Sequence, residues 1–237
     1  IGQVPMVIGK IFSEAFNFRA IFGGFAGSAL MQGIKRGLYS NEAGVGSAPN
    51  AAAAADVSHP VKQGLVQMLS VFIDTILICT ATAMMTLTTG VDIYSGLNGA
   101  PLVQASLATV FGSVGPYFIT FALLLFAFTT LLGNLFYCEG CMNYIAGRAI
   151  GSTGKTIFNI IAVLLVFLGA QLSIGLVWDL GDVLMGIMAI INLPVIVILG
   201  NTSLKALKDY TDQRAQGKDP TFKASSIGLK EKTDFWN

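Results

Sequence analysis

The stretch that decides the fold is His59-Pro-Val-Lys-Gln-Gly-Leu-Val-Gln-Met-Leu-Ser-Val-Phe-Ile-Asp-Thr-Ile-Leu-Ile-Cys-Thr-Ala-Thr-Ala-Met-Met-Thr-Leu-Thr-Thr-Gly90. Proline suits the first turn of a helix, where its missing N–H has no partner to lose, and glycine suits the end of one. Between them, residues 61–89 contain a single acid, Asp74, and after Lys62 no base. A run of this length exceeds the ~20 residues needed to cross a hydrocarbon core about 30 Å thick. It predicts a transmembrane helix over 61–89.

The whole chain agrees with that reading. Its 237 residues are 54% hydrophobic and 11% charged, with a mean hydropathy of +0.69, whereas soluble domains are about 25% charged. A net charge of +1 excludes a strongly basic nucleic-acid binder, and three cysteines are too few for a small secreted disulfide scaffold. The expected surroundings are a lipid bilayer, with no nucleic acid. Ile1 is not preceded by an initiator methionine, a charged n-region or a cleavage site, so a fragment of a longer membrane protein is expected.

Working outward, three more spanning helices are predicted over 116–146, 156–178 and 180–199, the last kinked at Pro194. The segment 92–115 is too long for a turn and too short to span, which predicts a re-entrant or surface cap helix. The first sixty residues are less regular. The glycine-rich Phe22-Gly-Gly-Phe-Ala-Gly-Ser-Ala29 predicts a fifth spanning element, broken within 20–36. Residues 1–200 are thus expected to form a transmembrane core, and the polar, mixed-charge 201–237 a solvated tail.

Lysine and arginine set the orientation, because positively charged loops stay in the cytoplasm. None occurs from Gln63 to Gly147 or from Thr156 to Leu204; they gather at Lys35, Arg36 and Lys62, at Arg148 and Lys155, and from Lys205 onward. Those places alternate with the helices and put the tail in the cytoplasm, in the plasma (inner) membrane. Lys10 and Arg19, which would lie outside, count against this order.

Several residues are candidates for chemistry. Irregular backbone at membrane depth is tolerated only beside protein or a water-filled cavity. A break at Gly23, Gly24, Phe25, Gly27 and Ser28 would aim the N–H groups of a half-helix at an anionic group such as a carboxylate. The competing reading is a helix contact through Gly23 and Gly27. Thr129 and Thr130, one turn after Phe126, offer hydroxyl and carbonyl oxygens to a hard cation such as sodium, or simply back-bond to the preceding turn. Asp74, about 18 Å deep at 1.5 Å per residue from Lys62, is either a proton-coupling group or a structural anchor. Asn134, Asn192 and Gln171 are read as interhelical hydrogen-bonding residues. Cys138-Glu-Gly-Cys141 lacks two further ligands for zinc, so no transition metal is expected. No phosphate-binding, nucleophile-elbow or metalloprotease motif appears, which makes an enzyme the weaker class.

Lys35-Arg-Gly-Leu-Tyr-Ser-Asn-Glu-Ala-Gly-Val-Gly-Ser-Ala-Pro-Asn-Ala-Ala-Ala-Ala-Ala55, followed by His59-Pro-Val-Lys-Gln-Gly-Leu-Val-Gln67 and Val71-Phe-Ile-Asp-Thr-Ile-Leu-Ile-Cys-Thr-Ala-Thr-Ala83, resembles the C-terminal half of the alanine or glycine:cation symporter family, the sodium:alanine symporters. The motifs cover residues 20–90, and the hydrophobic layout agrees to about residue 200. The resemblance implies an all-α membrane protein with the LeuT-type fold. This chain would be its second five-helix inverted repeat, with a broken helix, an external cap and a cytoplasmic tail.

It further implies sodium-coupled symport of a small neutral amino acid, alanine or glycine, by alternating access, with sodium as co-transported ion and no organic cofactor. By the same resemblance Phe126, Thr129 and Thr130 would bind sodium, completed by carbonyls from an N-terminal half absent from this chain. Gly23, Gly24, Phe25, Gly27 and Ser28 would meet the amino acid. The segment Ser40–Asn50 is either a cytoplasmic gate or the break itself. Lys35 and Arg36 at the inner edge favour the gate, with Asn41 and Glu42 as latch residues. The rivals are a proton-coupled carrier using Asp74 and a non-transporting membrane scaffold or sensor.

Overall fold

The computed structural model describes residues 2–15, 25–42, 44–92, 96–147, 149–229, 233, 235 and 236. The long elements among them are helices: α1 (Val4–Ala15), α2 (Phe25–Ser40), α3 (Ala48–Ala52), α4 (Pro60–Leu87), α5 (Ala100–Phe111), α6 (Val114–Ala146), α7 (Ser152–Gly169) and α8 (Ile174–Ala215). Four of these, α4, α6, α7 and α8, are long and apolar enough to cross a membrane. Their large apolar side chains are mostly exposed, among them Leu124, Leu165 and Ile190. Such a surface is stable against lipid, not water, and describes a multi-pass membrane protein.

The chain divides into two compact units, Ile1–Arg36 with Phe72–Phe136, and Gly37–Val71 with Tyr137–Asn237. In the first, the end of α4 (Thr80–Leu87) packs against α5 and touches α1. Helices α5 and α6 form a tight pair: a Cβ on Gly115 would fall 2.7 Å from the carbonyl carbon and oxygen of Leu107. Ser106, Leu107 and Ile119 are buried at this crossing, and Gln104 Nε2 donates to Thr120 Oγ1 at 2.8 Å. The segment expected as a cap thus contains a 12-residue helix.

In the second unit residues 39 to 59 follow α8. Tyr39 meets Trp178 edge to face, ring centres 5.2 Å apart, and its hydroxyl fills the space where Gly181 has no side chain. Gly44 abuts Leu193, and His59 reaches Asp209 and Tyr210. The chain therefore runs beside α8 from its first turns almost to its last.

Three boundaries differ from the sequence reading. Over the described part of 20–36 the backbone is helical, and α2 continues to Ser40. Non-helical backbone follows at residues 41–42 and 44–47, where Glu42 (φ 49°), Gly44 (φ 82°) and Gly46 (φ 98°) take left-handed conformations. The turn between the last two helices falls at 170–173, before Asp179 and Asp182, because Ser173 caps α8 by accepting from the Leu176 N–H at 3.4 Å. Unbroken apolar sequence on both sides concealed it. Finally, α8 runs 42 residues through Pro194 to Ala215, and the tail beyond it buries Pro220, Phe222 and Ala224 where a solvated end was expected. Asn201-Thr-Ser203 carries no glycine or proline to stop the helix.

Candidate functional site

Helix α6 brings Phe126 and Thr129 together. The Thr129 hydroxyl lies 3.0 Å from the Leu125 carbonyl and 3.1 Å from the Phe126 carbonyl, to which it back-bonds. This is the local hydrogen bond the sequence left open as an alternative to ion binding. While the hydroxyl donates to that carbonyl its proton lies between the two oxygens; turned away, it would leave two oxygens 3.1 Å apart, a spacing at which both could meet one hard cation at about 2.3–2.6 Å. Thr130 is exposed on the same turn.

Of the glycine-rich group, Gly23 and Gly24 lie outside the described residues. Phe25, Gly27 and Ser28 occupy the first two turns of α2, and only their helical backbone is described.

The non-helical loop at residues 41–42 and 44–47 is seated on α8. Asn192 Nδ2 donates to the Gly44 carbonyl at 3.0 Å, so its partner is a loop and not the second helix that the sequence reading expected. Gly46 sits directly on that side chain, where a Cβ would come 2.9 Å from Asn192 Cγ. Glycine is required at 46 for φ and for space together. Val45 between them is 2% exposed. Glu42 Oε2 accepts from Ser47 Oγ at 2.8 Å, and Asn50 Nδ2 donates to the Gly46 carbonyl at 3.4 Å. Asn41 continues the helical ladder, its N–H bonded to the Gly37 carbonyl at 3.1 Å.

Asp74 lies in a seven-residue π-helical segment, Ile73–Cys79, within α4. Such widened turns recur at functional sites because they displace side chains from the α-helical register. Thr80 Oγ1 reaches back to the Thr75 carbonyl at 3.4 Å. In the same unit, α4, α5 and α6 border an open groove of about 600 Å³ lined by Leu77, Ala81, Met85, Val103, Phe118 and Phe126, among others. Its lining holds no charged group, and the Thr82 hydroxyl is committed to the Ile78 carbonyl at 3.0 Å. It suits a hydrocarbon group and not a zwitterion.

Cys138 and Cys141 are exposed, free thiols. Cys141 Sγ lies 3.7 Å from Asn50 Oδ1. Among the described residues no group of three histidines, cysteines or acids gathers as a metal site.

The sodium:alanine symporter family model matches residues 1–224. The chain belongs to the sodium:alanine symporter family. It is 45% identical over 94% of its length to a probable sodium/glutamine symporter of Bacillus subtilis (strain 168), covering 46% of that protein. It is 41% identical over 100% of its length to a putative sodium/proton-dependent alanine carrier of the same strain, covering 51% of it. A sodium/alanine symporter of Methanococcus maripaludis is 42% identical over 90% of the chain, with 46% of the relative covered. The chain therefore spans about half the length of these relatives. No solved structure matches it.

The family match includes every candidate position above and extends into the tail to residue 224. That stretch was missed as structure. Its signal was a period of two: Pro220, Phe222 and Ala224 are buried, while Asp219, Thr221 and Lys223 are exposed. The alternation predicts an extended segment lying on a surface, a pattern too short to stand out beside four long apolar helices.

Proposed function

We propose that this member of the sodium:alanine symporter family forms the second five-helix repeat of a LeuT-type carrier. With an N-terminal half, it moves alanine or glycine together with sodium across the plasma membrane by alternating access, its tail in the cytoplasm. The observation that carries the reading is the family match over residues 1–224. The paired oxygens of Phe126 and Thr129 support a sodium site there, with Thr130 as the next hydroxyl and the first repeat supplying the remaining ligands. Residues Gly23 to Ser28 are proposed to face the amino acid. Asn41 and Glu42, beside a loop held by Asn192, are proposed to latch the gate. Sodium and amino acid must favour the same conformation, since a ligand with equal affinity for both states shifts nothing.

The test is uptake of labelled alanine and, separately, glycine by the full-length protein in liposomes, with and without an inward sodium gradient. Sodium-driven uptake is expected, and Thr129→Ala with Thr130→Ala is expected to abolish the sodium dependence. Uptake indifferent to sodium in the unaltered protein refutes the coupling.

A second reading has an observation of its own. Asp74 occupies the π-helical segment of α4, and one relative is named a putative sodium/proton-dependent alanine carrier. If protons couple through this carboxylate, Asp74→Asn removes pH-driven uptake and leaves the sodium-driven component.

A further inference from the structure

The second unit holds a side-chain cluster remote from the proposed ion and substrate residues in sequence. His59, the sole histidine of the chain, has no exposed surface. Its Nδ1 accepts from the Val61 N–H at 3.2 Å, so the ring proton sits on Nε2, which lies 3.3 Å from Asp209 Oδ2 of α8. Tyr210 and Phe222 pack edge to face against the ring, with centres 5.1 and 5.0 Å away.

The chain after α8 passes through this cluster and is fastened on both sides. Toward the start of α4, the Phe222 N–H donates to the Ser58 carbonyl at 3.0 Å and Ser58 Oγ donates to the Pro220 carbonyl at 2.9 Å. Lys62 Nζ donates to Ser58 Oγ at 2.7 Å and meets Asp219 Oδ1 at 2.6 Å. Toward α8, Gln213 Nε2 donates to Asp209 Oδ2 at 2.8 Å and to the Thr221 carbonyl at 2.9 Å, while its Oε1 accepts from the Thr221 N–H at 3.0 Å. Both polar edges of Thr221 are thereby used. The Lys62–Asp219 pair is open to solvent and adds little. The hold comes from Pro220 and Phe222, both buried, with Phe222 against the His59 ring.

We propose that residues 219–224 are a strap that ties the start of α4 to the end of α8 and stays closed throughout the transport cycle, so that these two helix ends move as one body. Opening it would break the bonds of Ser58 and Gln213 to the backbone of residues 220–222 and uncover Phe222, and among the described residues no alternative partner for these groups is in reach to offset that cost. The reference to a cycle rests on the carrier reading above; the closed strap does not.

The test uses the full-length protein with Cys79, Cys138 and Cys141 replaced by alanine. Lys62→Cys with Asp219→Cys is cross-linked by a short, reducible bis-methanethiosulfonate, and sodium-driven alanine uptake is measured before and after reduction. Separately, Ala224→Cys, at a buried position, and Ser225→Cys, at an exposed one, are labelled with a maleimide in detergent, with and without sodium plus alanine. Expected are unchanged uptake in the cross-linked protein and labelling at 224 about tenfold slower than at 225 in both conditions, as for a locally closed segment. Uptake lost on cross-linking and regained on reduction overturns the proposal. So does labelling at 224 as fast as at 225, or accelerated by sodium plus alanine. If the protein without cross-linker carries no alanine, the carrier reading fails and the labelling ratio alone decides the strap.

Discussion

Replacing Gly46 by alanine tests whether the loop Asn41–Ser47 is truly clamped on α8. Two costs arise at one position. The backbone φ of 98° is one an L side chain rarely adopts, and holding a non-glycine residue there costs about 1–3 kcal/mol. The new Cβ would also lie 2.9, 3.1 and 3.2 Å from Cγ, Oδ1 and Nδ2 of Asn192. That side chain must swing away, and its bond to the Gly44 carbonyl is worth about 0.5–1.5 kcal/mol net. Together Gly46→Ala should lower stability by roughly 2–4 kcal/mol. The second cost depends on Asn192, so it vanishes in a protein that already carries Asn192→Ala. Thermal unfolding of the four proteins of a double-mutant cycle, in one detergent and on the full-length chain, measures this directly. The double mutant is expected to be more stable than the sum of the single losses, by about 0.5–1.5 kcal/mol. Strict additivity would refute the contact between loop and helix, and a Gly46→Ala protein as stable as the parent would refute the loop conformation itself.

Two further outcomes are expected. Gly115→Ala places a methyl group 2.7 Å from the Leu107 backbone, which cannot rotate aside, and should destabilise the α5–α6 pair by about 1–3 kcal/mol; limited proteolysis after Phe111 would then accelerate. Glu139→Gln removes the ion pair between Lys155 and Glu139, whose side chains are 46% and 37% exposed, and thermal unfolding should move by less than about 1 kcal/mol.

The four apolar helices were legible because a membrane leaves only length and composition to be read, and α4 and α6 stand within a few residues of their predicted bounds. Sequence failed where one apolar run meets another. Within 156–199 the charged Asp179 outweighed the weaker signal of Gln171 and Ser173, and the turn was placed about seven residues too late. It failed again where order comes from distant partners. His59 stands in the sequence only as the residue before Pro60, and nothing near it announces Asp209, 150 residues away. For the sites, the Thr129 hydroxyl makes the back-bond to the preceding turn that residue type alone left open beside ion binding. Asn192, expected to bond another helix, bonds instead a glycine loop 148 residues distant.

Helix α8 has 42 residues, about 63 Å at 1.5 Å per residue, twice the thickness of a hydrocarbon core of about 30 Å. A rod of that length works as a lever. Asp209 lies 17 residues, or about 25 Å along the axis, from Asn192. A tilt of about 10° pivoting at Asn192 would carry Asp209 sideways by about 4 Å, and a closed strap would take the start of α4 with it. A small tilt about the point where the glycine loop seats on this rod is thereby enlarged into a much greater displacement at its far end, which makes loop and rod a mechanical gearing.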